Sequence, residues 1–299
     1  MQHEIHTILN DLEQERKDNY KQARNISGIV LVICFILMSI MLLSSETGGQ
    51  LAFFLILPPI FVYISYQKKY VQKLKNDLLP KILKNYRSNL AYDADQGISE
   101  ETVREGKIVS LHSRFSSEDA IWYSKDNIQV YSSDLHIERR RSNGKRTSYV
   151  TTFRGQYYVF TFPRQFNGTH VIKESASLFK GLDWFSNLTT VELENIRFNE
   201  IFHSKTDNQQ EFYYLLTPQM AEKVMSIEQK YPGKIGISIM DNTLHMAIHN
   251  NTNNFNFKLS KPLSMNYLKS FLEPIDIMEE LLIDLDLYKN KYMYKKLGN

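Results

Sequence analysis

Two uncharged apolar runs lie close together near the start of the chain. The first is Ile26 to Leu43, ISGIVLVICFILMSIMLL, and the second is Leu51 to Tyr66, LAFFLILPPIFVYISY. Between them lies Ser44 to Gln50, SSETGGQ, with no basic residue. A bilayer core of about 30 Å needs roughly 17–25 apolar residues at the helical rise of about 1.5 Å. The first run meets that length. The second is slightly short, but Tyr63 and Tyr66 suit an interfacial belt. Pro58-Pro59 should kink it, with the freed carbonyls served by the neighbouring helix. The pattern therefore predicts a two-helix transmembrane hairpin. A buried soluble hairpin would have to hide two such runs in one modest domain. A cleaved signal peptide fits poorly, because some 25 residues with many acids precede the first run and no small-residue cleavage site follows.

Lysine and arginine near the ends set the orientation. Arg16, Lys17, Lys21 and Arg24 precede the first run. Lys68, Lys69, Lys73, Lys75, Lys81, Lys84 and Arg87 follow the second, whereas the connecting loop carries only Glu46. Both termini are expected in the cytoplasm, with the protein in the inner membrane. The single cysteine, Cys34, lies in the first run and allows no intramolecular disulfide, which agrees with a reducing compartment.

The remaining periodicities divide the 299 residues. Residues 1–25 read as a cytoplasmic amphipathic helix, with Ile5, Ile8, Leu9 and Leu12 at helical steps. Residues 26–66 are the hairpin, 26–43 and 51–66. Residues 67–97 read as a basic juxtamembrane helix, broken near Pro80, and an acidic linker. The stripes of the two flanking helices either pack together, form an oligomer or rest on the soluble domain.

Residues 98–299 read as one cytoplasmic α+β domain, with an antiparallel sheet, a helical insertion and a C-terminal helix. Strands are expected at Ala120 to Tyr123, Ile128 to Ile137, Thr147 to Phe153, Tyr157 to Phe162, Thr169 to Ile172 and Thr189 to Leu193. Later ones are expected at Lys234 to Met240, Leu244 to His249 and Phe255 to Leu259. Asn143-Gly144 signals a type I′ hairpin. Short helices fit Ser99 onward, Ser175 to Phe185, Asn195 to Phe202 and Asn208 to Leu216. A longer one runs from Pro218 to Lys230, capped by Thr217. The terminal helix is expected from about Ser264 to Tyr288, interrupted or kinked at Pro274. The element order resembles a pleckstrin-homology-like plan, which says little about ligand.

Several short stretches carry a family resemblance. They are Ser117-Glu118-Asp119, Val130-Tyr131-Ser132-Ser133-Asp134, Phe153-Arg154-Gly155 and Phe166-Asn167-Gly168-Thr169. Further ones are Val191-Glu192-Leu193-Glu194 leading into Phe198 and Phe202, Tyr214-Leu215-Leu216-Thr217-Pro218, and Asp241-Asn242. In order and spacing, from about Ile98 to Phe257, the chain resembles an uncharacterised bacterial membrane-protein family, domain-of-unknown-function family 3137. The resemblance implies a comparable domain after two membrane spans. It implies no activity and supplies no catalytic residue.

Chemistry-bearing patterns are sparse. There is no G-x-S-x-G elbow, Walker A loop or dinucleotide fingerprint. His245 and His249 form H-x-x-x-H, but in a strand context their positions lie about 13 Å apart. No catalytic residue, cofactor or metal ligand is assigned. Glu118-Asp119 are adjacent carboxylates, and Glu192 and Glu194 are expected on one face of a strand edge. The strongest cluster is basic: Arg139, Arg140, Arg141, Lys145 and Arg146 surround the expected hairpin tip. Arginine forks bind phosphate, and each basic residue near an anionic leaflet contributes about 1 kcal/mol. With Lys68, Lys69, Lys73 and Lys75 it forms the expected anionic-lipid contact; a hairpin tip kept polar for solubility is the plainer alternative. A net charge of +3 argues against a dedicated nucleic-acid binder. The expected function is a membrane-anchored binding or scaffold module, without enzymatic activity, with a protein partner and self-association open. A tethered enzyme with scattered site residues, and an oligomeric membrane defence or structural protein, are the alternatives.

Overall fold

The computed structural model describes residues 2–44, 53–86, 89–144, 146–174, 187–231 and 233–284. They fall into two compact units, Met1–Tyr86 with Asn256–Ser270, and Arg87–Phe255 with Phe271–Asn299.

The first unit is built on α1, Gln2–Ser44, a single helix of 43 residues. No boundary appears at residue 25, because the change from polar to apolar side chains leaves the backbone hydrogen bonding unaltered. Within it, Leu9–Met41 is long and apolar enough to cross a membrane, the one such helix among the described residues. The second apolar run does not form a helix over its whole length. Phe53–Ile56 makes a 3₁₀ turn, and α2 runs Leu57–Lys73 with the prolines in its first turn. There Pro lacks only an N–H that would have no helical partner, so the pair starts a helix instead of kinking one. The helices are antiparallel neighbours: Ser27 Oγ donates to the Pro59 carbonyl at 2.7 Å, and Lys73 Nζ meets Glu15 at 2.5 Å. A π turn over Leu74–Leu78 precedes α3, Leu79–Tyr86. It absorbs the hydrogen bond that Pro80 cannot make.

Phe255–Leu259 is not a strand of the sheet. From Asn256 the chain instead joins the helical unit, where Phe257, Leu259 and Leu263 are buried. Burial demands partners for its backbone. The Gln67 amide supplies two, donating to the Phe257 carbonyl and accepting from the Leu259 N–H, each at 2.8 Å. Arg16 donates to the Leu259 carbonyl at 2.7 Å, and Glu13 accepts from the Leu263 N–H at 2.7 Å. Arg16 also grips Glu13 through two bonds of 2.8 Å. Arg16 is thus a clamp as well as a basic flank.

Among the described residues, the second unit is built on a nine-stranded antiparallel sheet ordered β1-β2-β3-β4-β9-β8-β5-β7-β6. The strands are β1 Ala91–Asp93, β2 Arg114–Lys125, β3 Ile128–Ser142, β4 Thr147–Thr161, β5 His170–Glu174, β6 Thr189–Val191, β7 Phe202–Thr206, β8 Lys234–Met240 and β9 Thr243–His249. β1 and β7 fall where the periodicity predicts a linker and a helix end. β4 is continuous through Phe153-Arg154-Gly155, because Gly155 lies against the Ile248 carbonyl, which a Cβ would meet at 2.0 Å. One face is covered by α4, Glu100–Gly106, capped by Ser99, and the loop after it. Val103, Ile108, Val109, Leu135, Ile137, Phe153 and Tyr157 form its core. Among the described residues, α5 Ile196–Ile201, α6 Gln209–Leu215 and α7 Pro218–Lys230, capped by Thr217, belong to the rest of the unit, and α8 Met265–Asp284 belongs to it from Phe271 on. On α8, Ile275, Met278, Leu281 and Leu282 are buried, and Glu279 reaches Lys125 of β2 at 3.0 Å. Ser175 to Phe185, and the stretch beyond Asp284 to which the terminal helix was expected to extend, lie outside the described residues.

His245 sits buried in β9, with Tyr157 Oη 3.1 Å from Nδ1 and Thr243 Oγ1 2.9 Å from Nε2. Burial pushes its pKa down to about 4, and His170, buried in β5, is also lowered to about 4, chiefly by burial. An unfolded histidine titrates near 6.5, so the unfolded chain binds more protons between about 4 and 6.5. Stability is therefore full above about pH 6.5 and falls on acidification, by up to about 3 kcal/mol for each histidine near pH 4. Melting followed by tryptophan fluorescence should show this fall, reduced in His245→Gln. In the helical unit, Arg16→Met should cost about 2 kcal/mol. Limited proteolysis should then cut faster within residues 256–263 than in the parent chain.

Candidate functional site: a basic ribbon

β3 and β4 are each 15 residues long and pair from Gln129↔Thr161 to Ser142↔Thr147. Their neighbours stop earlier. β2 begins at Arg114, opposite Glu138, and β9 ends at His249, opposite Gly155. The far end of the pair therefore projects as a two-stranded ribbon of about 15 Å, at about 3.4 Å per residue. The turn is centred one residue later than Asn143-Gly144 predicts. The Asn143 N–H donates to the Arg146 carbonyl, Asn143 Oδ1 accepts from the Arg146 N–H at 2.9 Å, and Gly144 takes φ 82°. Glycine adopts that left-handed backbone without steric cost.

Arg139, Arg140, Arg141 and Arg146 are all exposed on this ribbon. Lys145 lies outside the described residues. Pairing register divides the arginines between faces. Arg139, opposite Val150, and Arg141, opposite Ser148, share one face, whereas Arg140, opposite Tyr149, lies on the other. Two further residues belong to the ribbon, Arg114 and Tyr149. The Arg114 guanidinium lies 3.4 Å from the Tyr149 ring centroid and 3.4 Å from Glu138. Nothing in the local sequence links them, because strand pairing brings Arg114 there from outside the hairpin. The ribbon field also reaches His112, just before β2. Burial, then the positive charge of Arg139, lowers its pKa. The arrangement is an exposed set of cationic forks on a stiff, narrow support, suited to phosphate oxygens.

Lys68, Lys69 and Lys73 are exposed on α2, and Lys75 is half-buried in the π turn. They lie in the helical unit and the ribbon in the sheet unit. His245 and His249 are indeed on a strand, and each is engaged in the fold. His249 Nδ1 accepts from the Arg154 N–H at 2.9 Å. Among the described residues, no group of three or more His, Cys, Asp or Glu could hold a metal ion. Glu118 and Asp119 have separate tasks at a bulge in β2. Asn253 donates to Glu118 at 2.8 Å, while the buried Asp119, at φ 59°, accepts from Tyr92 Oη at 2.5 Å. Burial, then the Asp119 charge, keeps that phenol protonated. Glu192 and Glu194 are not on a strand, since β6 ends at Val191; both are exposed in the following loop.

Residues 151–287 match the model of a family described as "Protein of unknown function (DUF3137)". The match starts and ends later than the stretch from about Ile98 to Phe257 that carries the resemblance. No curated protein matches the chain. Among solved structures, the crystal structure of the mycobacterial trehalose monomycolate transport factor A, TtfA, is similar. The similarity covers 69% of this chain and 93% of that one, at 8% identity and a TM-score of 0.35.

The ribbon's field gives a direct readout. Arg139→Gln removes a positive charge beside His112 and so favours the imidazolium. The His112 pKa should rise in a pH titration by NMR, whereas Lys69→Gln should leave it unchanged.

Proposed function

We propose that this chain, whose residues 151–287 match the DUF3137 family model, is a membrane-anchored, non-enzymatic binding or scaffold module whose ribbon contacts anionic lipid head groups at the cytoplasmic leaflet. The carrying observation is the paired arginine set on a support that outruns the rest of its sheet. Membrane anchoring draws support from the helical unit. Ile29 and Phe35 of α1 are 61% exposed, and Phe54 and Phe61 near α2 are 65% and 64% exposed. Apolar surface on this scale is costly in water and ordinary in lipid. In this reading α1 and the 3₁₀ turn with α2 form a two-span hairpin in the inner membrane, and the basic flanks keep both termini cytoplasmic. Protein partners and self-association through the helices belong to the same reading.

The test reconstitutes the full chain, with Cys34→Ser and a dye on Ser142→Cys, into phosphatidylcholine or phosphatidylglycerol vesicles. Head-group quenchers should reach the dye strongly only in the anionic vesicles. Quenching should weaken with salt, because the Debye length is about 8 Å at physiological ionic strength. Replacing Arg139, Arg140, Arg141, Lys145 and Arg146 with Gln should abolish the difference between the lipids. It should also leave stability within about 0.5 kcal/mol, as exposed positions do. Equal quenching in both lipids would overturn the lipid contact. Topology is read separately: reporters fused at residues 1 and 299 should report cytoplasm, and Gly48→Cys should label from outside.

A further inference from the structure

A second surface lies apart from the ribbon in the sheet unit. The loop after β6, α6 and the start of α7 enclose a groove of about 660 Å³. Leu193, Leu216, Pro218 and Ala221 line it, Tyr213 walls one side, and Glu192 and Glu194 stand at its rim. The rim loop is held in place: the Asn199 amide donates to the Leu193 carbonyl at 2.7 Å and accepts from the Leu193 N–H at 3.0 Å. Tyr213 Oη also donates to the Glu192 carbonyl at 3.2 Å. Tyr213 is 47% exposed here, and Ile196, next in sequence to the lining residue Asn195, is 75% exposed. A preformed apolar groove with acidic lips fits a peptide that alternates aromatic and basic side chains.

This chain carries such a peptide. Residues 285–299 read LDLYKNKYMYKKLGN. It interleaves Tyr288, Tyr292 and Tyr294 with Lys289, Lys291, Lys295 and Lys296. We infer that this C-terminal segment docks in the groove, its tyrosines on the apolar lining and its lysines against Glu192 and Glu194. Reach is sufficient. Glu280 of α8 is paired with Lys230, at the far end of α7, at 2.6 Å. The groove lies at the other end of α7, about 20 Å along the helix. Fifteen residues beginning one turn after Glu280 span up to about 50 Å.

The test places the photo-crosslinker benzoylphenylalanine at Tyr213 in the full chain. The expected product has the mass of one chain, with the crosslink mapped by mass spectrometry to residues 285–299. Glu192→Lys with Glu194→Lys should lower its yield about tenfold, the order set by losing two or three partly exposed charge pairs. Both sites are exposed, so the melting temperature should stay near that of the parent. Adding Lys289→Glu, Lys291→Glu, Lys295→Glu and Lys296→Glu to that variant should restore the yield, since the charges are then exchanged. Crosslinks that map elsewhere, or join two copies, would overturn the assignment. So would a yield indifferent to the charge reversal or not rescued by the exchange. Loss of the crosslink when phosphatidylglycerol vesicles are added would show that the segment prefers lipid, and would equally overturn it.

Discussion

β3 and β4 pair over a length that none of their neighbours can match. That mismatch decides where the sheet ends and where a lone ribbon begins. Inside the sheet, β3 and β4 each have a strand on both sides and contribute aromatic and branched side chains. Past Glu138 on one arm β2 no longer pairs, and past Gly155 on the other β9 no longer pairs; beyond the buried Phe153 the ribbon carries mainly arginine, serine and threonine, with Tyr149 and Val150. The ribbon keeps its shape through its own ladder, the tip bonds of Asn143 and the stacking of Arg114 on Tyr149. A cationic surface is therefore presented on a stiff support without being built on a loop.

The rest of the architecture answers the need to pair buried polar groups. The segment after Asn256 leaves the sheet, and helix side chains take over the role of a neighbouring strand. Gln67 does this most completely, because its amide offers one donor and one acceptor to a backbone that needs both. In the sheet, Tyr157, His245 and Thr243 satisfy one another, and Ser238 Oγ donates to the Gly106 carbonyl at 2.5 Å. Gly106 is also a contact that no larger residue could make, since a Cβ there would meet Tyr157 Oη at 2.1 Å. These contacts tie α4 to the middle of the sheet.

Much of this was legible in the sequence where a signal is local. Ser99 and Thr217 marked helix starts, short helices were expected from Asn195 and Asn208, and alternation marked β3, β4, β8 and β9. What escaped depends on distant partners. Phe255–Leu259 alternates as a strand would, but its backbone finds Gln67 and Arg16, about 190 and 243 residues away in sequence. β7 follows α5 directly at Phe202, so its five residues read as the end of that helix. β1 is three residues in an acidic stretch and exists because β2 offers an edge. For the ribbon, the arginines were plain and Arg114 was not. The groove at Leu193 could not be foreseen, because Glu192 and Glu194 looked like a strand edge.

α1 runs without interruption from the residues that clamp the returning segment to the apolar stretch at its other end. A helix of 43 residues is about 64 Å long, and it contains no proline to act as a joint. With its apolar half held in a bilayer, a change in tilt of about 10° would sweep the distant end sideways by several ångströms. Glu13 and Arg16 ride on that end. Membrane thickness and lateral pressure would then act as a mechanical input to the clamp, with no ligand bound.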